Sequence, residues 1–343
     1  MFTVSFPGLN IGPFVINDSF SVFGWFDLRF YSTIIALGMV LAVLYAFWRF
    51  KENGLKLDTV LDYAVWLIPI GIVGARLYYV IFDMMKNPDN YLGEGFWKFC
   101  YNVIAVWEGG LAIYGGVILG GLTIMVIALI KKTNPLKIID IAVPSVMFAQ
   151  CIGRWGNFFN FEAFGEATTG IFRMCMVDYD KESAFARFSH REYVSAITAG
   201  GFDPTSTDVG VHPTFLYESL WNLLGVIIMI VTLIITTKIL KVSKERRIEG
   251  FFFSFYMIWY GSARMIIETL RTDSLYLGPF RVSVLVAIIT LVIGVLLMAF
   301  LVTRNILQRK KNIDIWTMFK SFIKKKFSKK NSQEVKEENG TNN

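Results

Sequence analysis

Apolar residues occur along this chain in long blocks that are separated by short polar segments. Each block is about twenty residues long, which is the length of α-helix that crosses about 30 Å of hydrocarbon. We predict seven transmembrane helices, at residues 29–48, 59–82, 105–130, 138–159, 213–237, 250–270 and 282–302. The pattern therefore predicts an all-α polytopic membrane protein whose core forms between helices within lipid.

Basic residues in the short loops indicate how these spans are oriented, because cytoplasmic loops are enriched in Lys and Arg. The loops after the first, third and fifth spans are basic, and the longest basic run follows the seventh. The loops after the second and sixth spans hold few basic residues, and the long segment after the fourth mixes them with acids. We therefore predict an outside N-terminus and a cytoplasmic C-terminus, because an even number of spans would place one basic block on the wrong side.

Three segments lie outside the predicted spans. Residues 1–28 are polar and aromatic, contain no Lys or Arg, and lack the pattern of a cleavable signal peptide. We expect residues 161–212 to form a small external cap, in which the partly alternating run 171–178 predicts a short strand. Residues 1–303 are expected to form one domain, followed by a cytoplasmic tail at 304–343 that is disordered near its end.

The composition agrees with a membrane protein, since 54% of the residues are hydrophobic and only 18% are charged. Soluble proteins carry about 25% charged residues. The net charge is +7, and residues 304–330 contain ten Lys or Arg against one acid, Asp314. Basic charge beside a span favours an anionic membrane surface as its partner and not nucleic acid.

The three cysteines do not indicate a metal site or a disulfide framework. Cys100, Cys151 and Cys175 lack metal-ligand spacing, and any one disulfide would leave a cysteine unpaired. Cys151 lies within a predicted span, where we expect it to be a small core residue.

Charged and amide side chains concentrate at the end of the fourth span. Residues 153–165 read Gly-Arg-Trp-Gly-Asn-Phe-Phe-Asn-Phe-Glu-Ala-Phe-Gly and include Arg154, Asn157 and Glu162. A charged group at bilayer depth costs about 3 kcal/mol on insertion scales, so it is usually paired, buried in protein or functional. This segment is the first candidate site.

The sixth span carries a second polar cluster. Tyr260, Arg264, Glu268 and Arg271 are spaced by four, four and three residues, which places them on one stripe of a helix. Because such a stripe cannot face lipid, we expect it to face the interior of the bundle. An internal salt bridge between Arg264 and Glu268 that only fixes the packing is the simpler interpretation, and a functional site is the alternative.

Other polar residues in the spans have a structural interpretation as well as a functional one. Gly116 and Gly120 have the GxxxG spacing that lets helices approach closely. The further candidates are Glu108 and Tyr114 in the third span, Tyr31 and Arg76 in the first two, and His212, Tyr217 and Glu218 at the start of the fifth. Tyr31 could be an interface anchor, Arg76 could extend to the headgroups, and His212 is expected to be structural.

Several arginines are thus predicted in the outer half of the bundle. Arg154 and Arg264 are the main ones, with Arg76 and Arg271 as further candidates. Because arginine binds phosphate through two parallel hydrogen bonds and keeps its charge when desolvated, an anionic phospholipid headgroup is the ligand we predict. A transporter or channel for an anionic solute and a lipid-binding scaffold without chemistry are the alternative functions. Solute flux without lipid consumption would indicate the first, and lipid binding without product the second.

The end of the fourth span contains the pattern Gly153-Arg154-x-Gly156-Asn157-Phe158-Phe159-Asn160-x-Glu162-x-x-Gly165. This pattern resembles the complete signature of the prolipoprotein diacylglyceryl transferase family. The resemblance extends to Tyr31, to residues 74–79, to the glycine-rich third span, to residues 212–218 and to residues 260–271. It does not include the basic tail.

The resemblance implies a seven-span enzyme of the bacterial plasma membrane. Such enzymes transfer the diacylglyceryl group of phosphatidylglycerol to the thiol of a lipobox cysteine in a prolipoprotein signal peptide, and they release glycerol phosphate. No metal or cofactor is implied. The candidate catalytic residues are Arg154, Arg264, Glu162, Glu268, Tyr31 and Asn157. The candidate phospholipid-binding residues are Arg154, Arg264, Asn157, Gly165, Tyr114, Tyr260 and Arg271.

One position departs from the family pattern. The family commonly has histidine before two glycines in the third span, where this chain has Tyr114. His190 and His212 are the only histidines in the chain, so no histidine at that position can act as the base. Tyrosine is a poor base, with an ordinary pKa of about 10.

The expected chemistry is displacement at a methylene carbon by a thiolate, whose formation at pH 7 costs about 2 kcal/mol. We expect Arg154 to bind the phosphate and Arg264 to stabilise the leaving group. Asn157 is expected to orient the glycerol headgroup or Glu162. Glu162 and Glu268 are expected to position the guanidinium groups, and one of them to accept the thiol proton.

Overall fold

The computed structural model describes residues 2–17, 19–22, 26–92, 95–106, 109–179, 184–204, 206, 208–241, 247–272, 276–277 and 280–311. It is mostly helical. The helices are α1 (Phe30–Glu52), α2 (Leu57–Lys86), α3 (Asp89–Leu92), α4 (Phe96–Ile104), α5 (Ile113–Ile130), α6 (Pro135–Phe159), α7 (Ala184–Ala199), α8 (Thr214–Ile234), α9 (Phe251–Ile267) and α10 (Val282–Lys311). The strands are β1 (Phe2–Phe6), β2 (Ile11–Ile16), β3 (Ser19–Val22), β4 (Phe26–Arg29), β5 (Ala167–Thr168), β6 (Cys175–Tyr179), β7 (Gly210–Val211), β8 (Tyr276–Leu277) and β9 (Phe280–Arg281).

Six helices in the described part of the chain are long and apolar enough to cross a membrane, namely α1, α2, α5, α6, α8 and α10. They lie at six of the seven predicted spans, so the protein is a multi-pass membrane protein. The remaining predicted span, 250–270, holds α9, which has 17 residues and is followed by one 3₁₀ turn at Glu268–Leu270.

The third predicted span begins too early. Residues 96–104 form the separate short helix α4, and α5 begins only at Ile113. Gly109 and Gly110 have φ angles of +93° and +66°, which a continuous right-handed helix cannot contain. Glu108, a candidate from the sequence, lies outside the described residues. At the other end of the chain α10 continues to Lys311, beyond the predicted limit at 302.

The fold also contains strands that the all-α prediction omitted. Strand β1 pairs antiparallel with β2 and with β6, so the N-terminal segment forms a three-stranded sheet with a strand from the predicted cap. Strand β6 itself was predicted at 171–178 and begins at Cys175. Because the β1–β6 pairing joins residues more than 150 positions apart, the local pattern of residues 1–28 did not predict it.

A buried apolar cluster joins this small sheet to the ends of two membrane helices. Val4 of β1, Phe161 and Phe164 after α6, Tyr193 of α7 and Phe215 of α8 pack together in it. The cluster therefore fixes the point at which the chain leaves α6, which is where the polar motif lies.

Helix α6 is central, because it packs against α1, α5, α8 and α9. Its start is defined by Asn134, whose side-chain oxygen accepts a hydrogen bond from the Leu136 amide at 3.0 Å, and by Pro135 in the first turn. Helices α2 and α5 approach each other closely, since a Cβ on Gly115 would lie 2.1 Å from the Gly74 carbonyl oxygen. Gly116 approaches Gly71 less closely, so the predicted Gly116/Gly120 pair is not the tightest contact.

Candidate active site

Two arginines from different helices meet at one buried carboxylate, that of Glu218. Arg154 Nη2 of α6 lies 2.5 Å from Glu218 Oε2, and Arg264 Nη1 of α9 lies 3.1 Å from Glu218 Oε1. Glu218 is only 4% exposed. The carboxylate offsets two charges that would otherwise be costly to bury, so the three side chains form one unit.

A second carboxylate and a third arginine extend this unit. Glu268 Oε2 lies 2.5 Å from Arg264 Nη2, which confirms the predicted salt bridge one turn along the helix stripe. Arg271 Nη1 lies 3.7 Å from Glu218 Oε1. Because the helix has ended by Glu268, the prediction that Arg271 continues the same helical stripe was wrong, although its side chain still reaches the cluster. Three guanidinium groups and the carboxylates of Glu218 and Glu268 leave one net positive charge.

Asn157 connects Arg154 to Glu162. Arg154 Nη1 donates to Asn157 Oδ1 at 3.3 Å, and Asn157 Nδ2 donates to Glu162 Oε1 at 2.8 Å. Glu162 thus acts on Arg154 only through this amide. The sequence suggested two targets for Asn157, the headgroup or Glu162, and the hydrogen bond identifies Glu162.

Arg154 and Arg264 line one shared cavity of about 320 Å³. The other lining residues are Tyr31, Ile113, Gln150, Gly153, Asn157, Glu218, Asn222, Tyr260 and Ala263. Ile113 is also 69% exposed, so the cavity reaches the outside of the bundle at the start of α5. Of the candidates from the sequence, Arg154, Arg264, Asn157, Tyr31, Tyr260 and the further candidate Glu218 line this cavity.

Hydrogen bonds between α6 and α8 fix Arg154 relative to Glu218. The Ser219 hydroxyl donates to the Cys151 carbonyl at 3.0 Å and accepts from Trp155 Nε1 at 3.1 Å. Cys151 is buried, as predicted. Since Ser219 follows Glu218 and Trp155 follows Arg154, these bonds set the register of the ion pair.

A reciprocal pair of indoles fixes α8 relative to α9. Trp221 Nε1 donates to the Trp259 carbonyl at 3.1 Å, and Trp259 Nε1 donates to the Trp221 carbonyl at 3.0 Å. The two rings stack with their centroids 4.7 Å apart. This contact positions Glu218, three residues before Trp221, relative to Arg264, five residues after Trp259.

The ring of Tyr31 packs against the backbone of α6. A Cβ on Gly156 would lie 3.0 Å from Tyr31 Cδ2, so the glycine makes room for the ring. This packing places Tyr31 on the cavity wall beside Arg154.

Sequence reasoning missed two polar residues of the cavity wall, Gln150 and Asn222, and did not rank Glu218 among the site residues. Gln150 precedes Arg154 by four residues, and Asn222 follows Glu218 by four. Polar side chains at a spacing of four within apolar spans share one helix face, which is the signal that would have identified them.

The amide of Gln150 has an unusual environment. Its Nε2 donates to the Tyr256 hydroxyl at 2.8 Å, whereas its buried Oε1 has no hydrogen-bond partner among the described residues. Buried polar atoms are nearly always paired, so this atom indicates where a bound molecule or water donates a hydrogen bond.

Gly165 and Tyr114, like Glu162, Glu268 and Arg271, are not among the residues that line the cavity. Gly165 forms a β-bridge with Arg271, and a Cβ on Gly165 would lie 2.6 Å from the Leu270 carbonyl oxygen. Tyr114 lies beside Tyr78, with the ring centroids 6.1 Å apart, although it is near enough to Arg264 for their groups to interact electrostatically. Gly165 therefore packs the segment that carries Arg271.

Arg76 holds a loop and does not join the arginine cluster. Its guanidinium donates to the carbonyl oxygens of Asn102 at 2.6 Å, Val103 at 3.1 Å, Gly109 at 2.6 Å and Gly110 at 3.2 Å. Both interpretations from the sequence, a phosphate ligand and a headgroup contact, are thus replaced by a structural role.

The arrangement can bind and stabilise an anion. It presents two guanidinium groups with fixed geometry at the wall of a partly enclosed cavity, where charge interactions are stronger than in water. Among the described residues, no three His, Cys, Asp or Glu side chains come together as a metal site requires.

Comparisons with known proteins show the family of this chain. The sequence model of the family described as prolipoprotein diacylglyceryl transferase matches residues 18–300. A phosphatidylglycerol–prolipoprotein diacylglyceryl transferase of Streptococcus mutans is 37% identical over 286 residues, covering 82% of this chain and 94% of that protein. Proteins of the same name from Streptococcus agalactiae serotype Ia and Streptococcus pyogenes serotype M5 are each 36% identical, covering 83% and 84% of this chain and 96% and 94% of theirs. The family model covers the Arg154–Glu218–Arg264 cluster, and the relatives share this identity over most of their length. The chain therefore belongs to the prolipoprotein diacylglyceryl transferase family.

Proposed function

We propose that this protein transfers the diacylglyceryl group of phosphatidylglycerol to the thiol of a lipobox cysteine in a prolipoprotein signal peptide. The family supports the activity, and the cavity shared by Arg154 and Arg264 supports the place where it occurs. The sulfur forms a thioether bond to the lipid's methylene carbon, the bond from that carbon to the phosphate oxygen breaks, and glycerol phosphate leaves. This displacement is balanced without a cofactor.

Arg154 and Arg264 bind the phosphate in this proposal. The main support is that both guanidinium groups, from two different helices, contact the carboxylate of Glu218. A phosphate at that point takes hydrogen bonds from both arginines, and the charge that collects on the leaving oxygen is stabilised. Hydrogen-bond donors that point at the developing charge each stabilise the transition state by about 3 kcal/mol in a site that excludes water.

In this proposal Glu218, and not Glu162 or Glu268, accepts the proton of the thiol. Only Glu218 of the three lines the cavity. When the lipid phosphate takes over the guanidinium donors, a Glu218 oxygen becomes free to accept the thiol proton. That proton then passes to the departing glycerol phosphate.

The remaining candidates position this machinery. Glu268 orients Arg264 directly, and Glu162 orients Arg154 through Asn157. Tyr31 and Tyr260 line the cavity beside the arginines, where their hydroxyls can contact the headgroup. Gly165 and Arg271 support the cluster from the loop after α9, and Tyr114 contributes a polar group nearby.

The topology belongs to the same proposal. We infer that α9 also crosses the bilayer, which gives seven spans with the N-terminus outside and the basic tail against the anionic inner surface of a bacterial plasma membrane. The sheet of β1, β2 and β6 then forms an external cap together with α7, at the end of the bundle that holds the cavity. Labelling of single cysteines introduced at Lys132 and Gly201 of intact cells tests this orientation, since only the second should react from outside.

Mass spectrometry of a lipobox peptide tests the activity. The purified enzyme with phosphatidylglycerol should add one diacylglyceryl group to the peptide cysteine, and a peptide with serine at that position should stay unmodified. Glycerol phosphate should appear in equal amount. Solute flux in liposomes without any peptide modification would instead favour the transporter, and lipid binding without product would favour the scaffold.

A further inference from the structure

A second polar cavity, of about 230 Å³, lies between the starts of α6 and α9 and the last turns of α10. Its polar lining residues are Asn134, Arg247, Glu249, Arg304, Asn305 and Gln308. None of them belongs to the Glu218 cluster, and the transfer reaction uses none of them.

This cavity lies at the opposite end of the bundle from the active-site cavity. Asn134 caps the start of α6, and Arg154 lies twenty residues further along the same helix. At 1.5 Å per residue the two positions are about 30 Å apart, which is the thickness of the hydrocarbon core. The second cavity is therefore at the level of the headgroups of the other leaflet.

Two arginines of the cavity are available to a ligand. Neither Arg247 nor Arg304 forms an ion pair with a carboxylate in the described part of the chain. The Nε atom of Arg247 is buried and has no hydrogen-bond partner there. An unpaired buried donor on a charged group is costly, so the guanidinium of Arg247 has hydrogen-bonding capacity that a bound anion could use.

The neighbouring groups are arranged around these arginines. Asn305 and Gln308, one and four residues after Arg304 on α10, add amide donors. The one carboxylate of the lining, that of Glu249, accepts a hydrogen bond from Asn134 Nδ2. The start of α9 is already occupied, since Asp140 accepts hydrogen bonds from the amides of Gly250 at 2.7 Å and Phe253 at 2.8 Å. Anion binding here thus depends on side chains and not on a helix end.

We propose that this cavity binds the phosphate group of an anionic phospholipid in the leaflet opposite to the active-site cavity. Apolar groups complete its wall, namely Leu301 and Ile248, and Phe300 beside them on α10 is 50% exposed, so acyl chains can lie along that helix. The residues that follow on α10, Arg309, Lys310 and Lys311, are all basic and increase the local concentration of anionic lipid.

Native mass spectrometry of the purified full-length protein with phosphatidic acid tests the proposal. This lipid carries the phosphate without a further headgroup, and we expect two bound equivalents, one in each cavity. Arg247→Gln and Arg304→Gln, which lie on different segments, should each weaken the second equivalent by about tenfold. The matched control is Lys51→Gln, an exposed basic residue at the same end of the bundle, because the adjacent Phe50 packs with Ile138.

The outcomes separate lipid from soluble anion. Loss of one equivalent in both arginine variants, with diacylglyceryl transfer retained as the measure of folding, supports the site. Equal adducts in the variants and in Lys51→Gln overturn it. Full displacement of the second equivalent by millimolar inorganic phosphate also overturns it, because the cavity would then bind a free anion.

Discussion

Glu218 Oε2 and Arg154 Nη2 lie 2.5 Å apart, on two helices whose residues are separated by more than sixty positions. The same carboxylate contacts Arg264, so a single side chain holds both arginines at the cavity wall. Glu218 and Glu268 offset the buried positive charges of the two arginines, and in the proposed reaction the phosphate of the substrate competes for the same donors.

Glu218→Gln should therefore lower kcat/KM by about 100-fold or more and destabilise the fold by about 3 kcal/mol. The amide keeps the shape of the side chain but removes the negative charge between the two guanidinium groups, of which only Arg264 keeps a second partner, Glu268. Turnover of phosphatidylglycerol with a lipobox peptide and the midpoint of thermal unfolding measure the two effects. Glu249→Gln, at the opposite end of the bundle, is the matched control. Retention of more than half of the wild-type activity would contradict the role of Glu218.

Arg154→Lys and Arg264→Lys should each reduce kcat/KM by about 100-fold, because lysine keeps the charge but loses the planar pair of donors. The assay is again the mass gain of a lipobox peptide, followed over time. Arg173→Lys, whose guanidinium donates to the Gly170 carbonyl at 3.4 Å, is a control outside the cavity. Wild-type rates in either cavity variant would exclude phosphate binding through two parallel hydrogen bonds.

Gln150→Leu should raise KM for phosphatidylglycerol by about tenfold, which corresponds to the loss of one hydrogen bond. Gln150 lines the cavity, and the substitution removes its buried Oε1 atom, which has no hydrogen-bond partner among the described residues. Tyr256→Phe is the comparison, since it removes only the hydroxyl that accepts from Gln150 Nε2. If both variants change KM equally, the amide acts through its bond to Tyr256 and does not contact the substrate.

The parts of this site that are local in sequence were predictable, and the parts that depend on distant contacts were not. The polar residues around Arg154 are close together in sequence, as are Arg264 and Glu268, so the sequence was enough to predict that each group forms one cluster. The partnership of Arg154 with Glu218 depends on how α6 packs on α8, which the Ser219 and Trp155 hydrogen bonds determine. The pairing of β1 with β6 is likewise a long-range contact, because the paired residues are more than 150 positions apart in the sequence.

The stability of the protein should depend on pH through His212. Burial lowers the pKa of this imidazole below its usual value, although the nearby Glu166 charge acts in the opposite direction. The unfolded chain binds a proton at about pH 6.5, whereas the folded chain resists it, so stability falls as the pH drops below about 6.5. Thermal unfolding between pH 7.5 and 5 should show a smaller decrease for His212→Gln than for the wild type. Parallel curves would mean that His212 titrates alike in both states.

Gly165→Ala should act on the fold before it acts on substrate binding. A Cβ at this position would lie 2.6 Å from the Leu270 carbonyl oxygen and 2.8 Å from the Cβ of His212, so the backbone that carries Arg271 must move. Overpacking of this kind costs about 2 kcal/mol, which lowers Tm by about 5 °C, and the shift of Arg271 should weaken turnover as well.

The matched control is Gly121→Ala, because nothing lies within 4 Å of a Cβ there. Differential scanning fluorimetry and transfer assays on both variants separate the two possible roles of Gly165. A lower Tm together with a lower kcat indicates packing. An unchanged Tm with a raised KM for phosphatidylglycerol would instead show that Gly165 contacts the lipid, as the sequence motif alone had suggested, and that the loop after α9 moves toward the cavity when substrate binds.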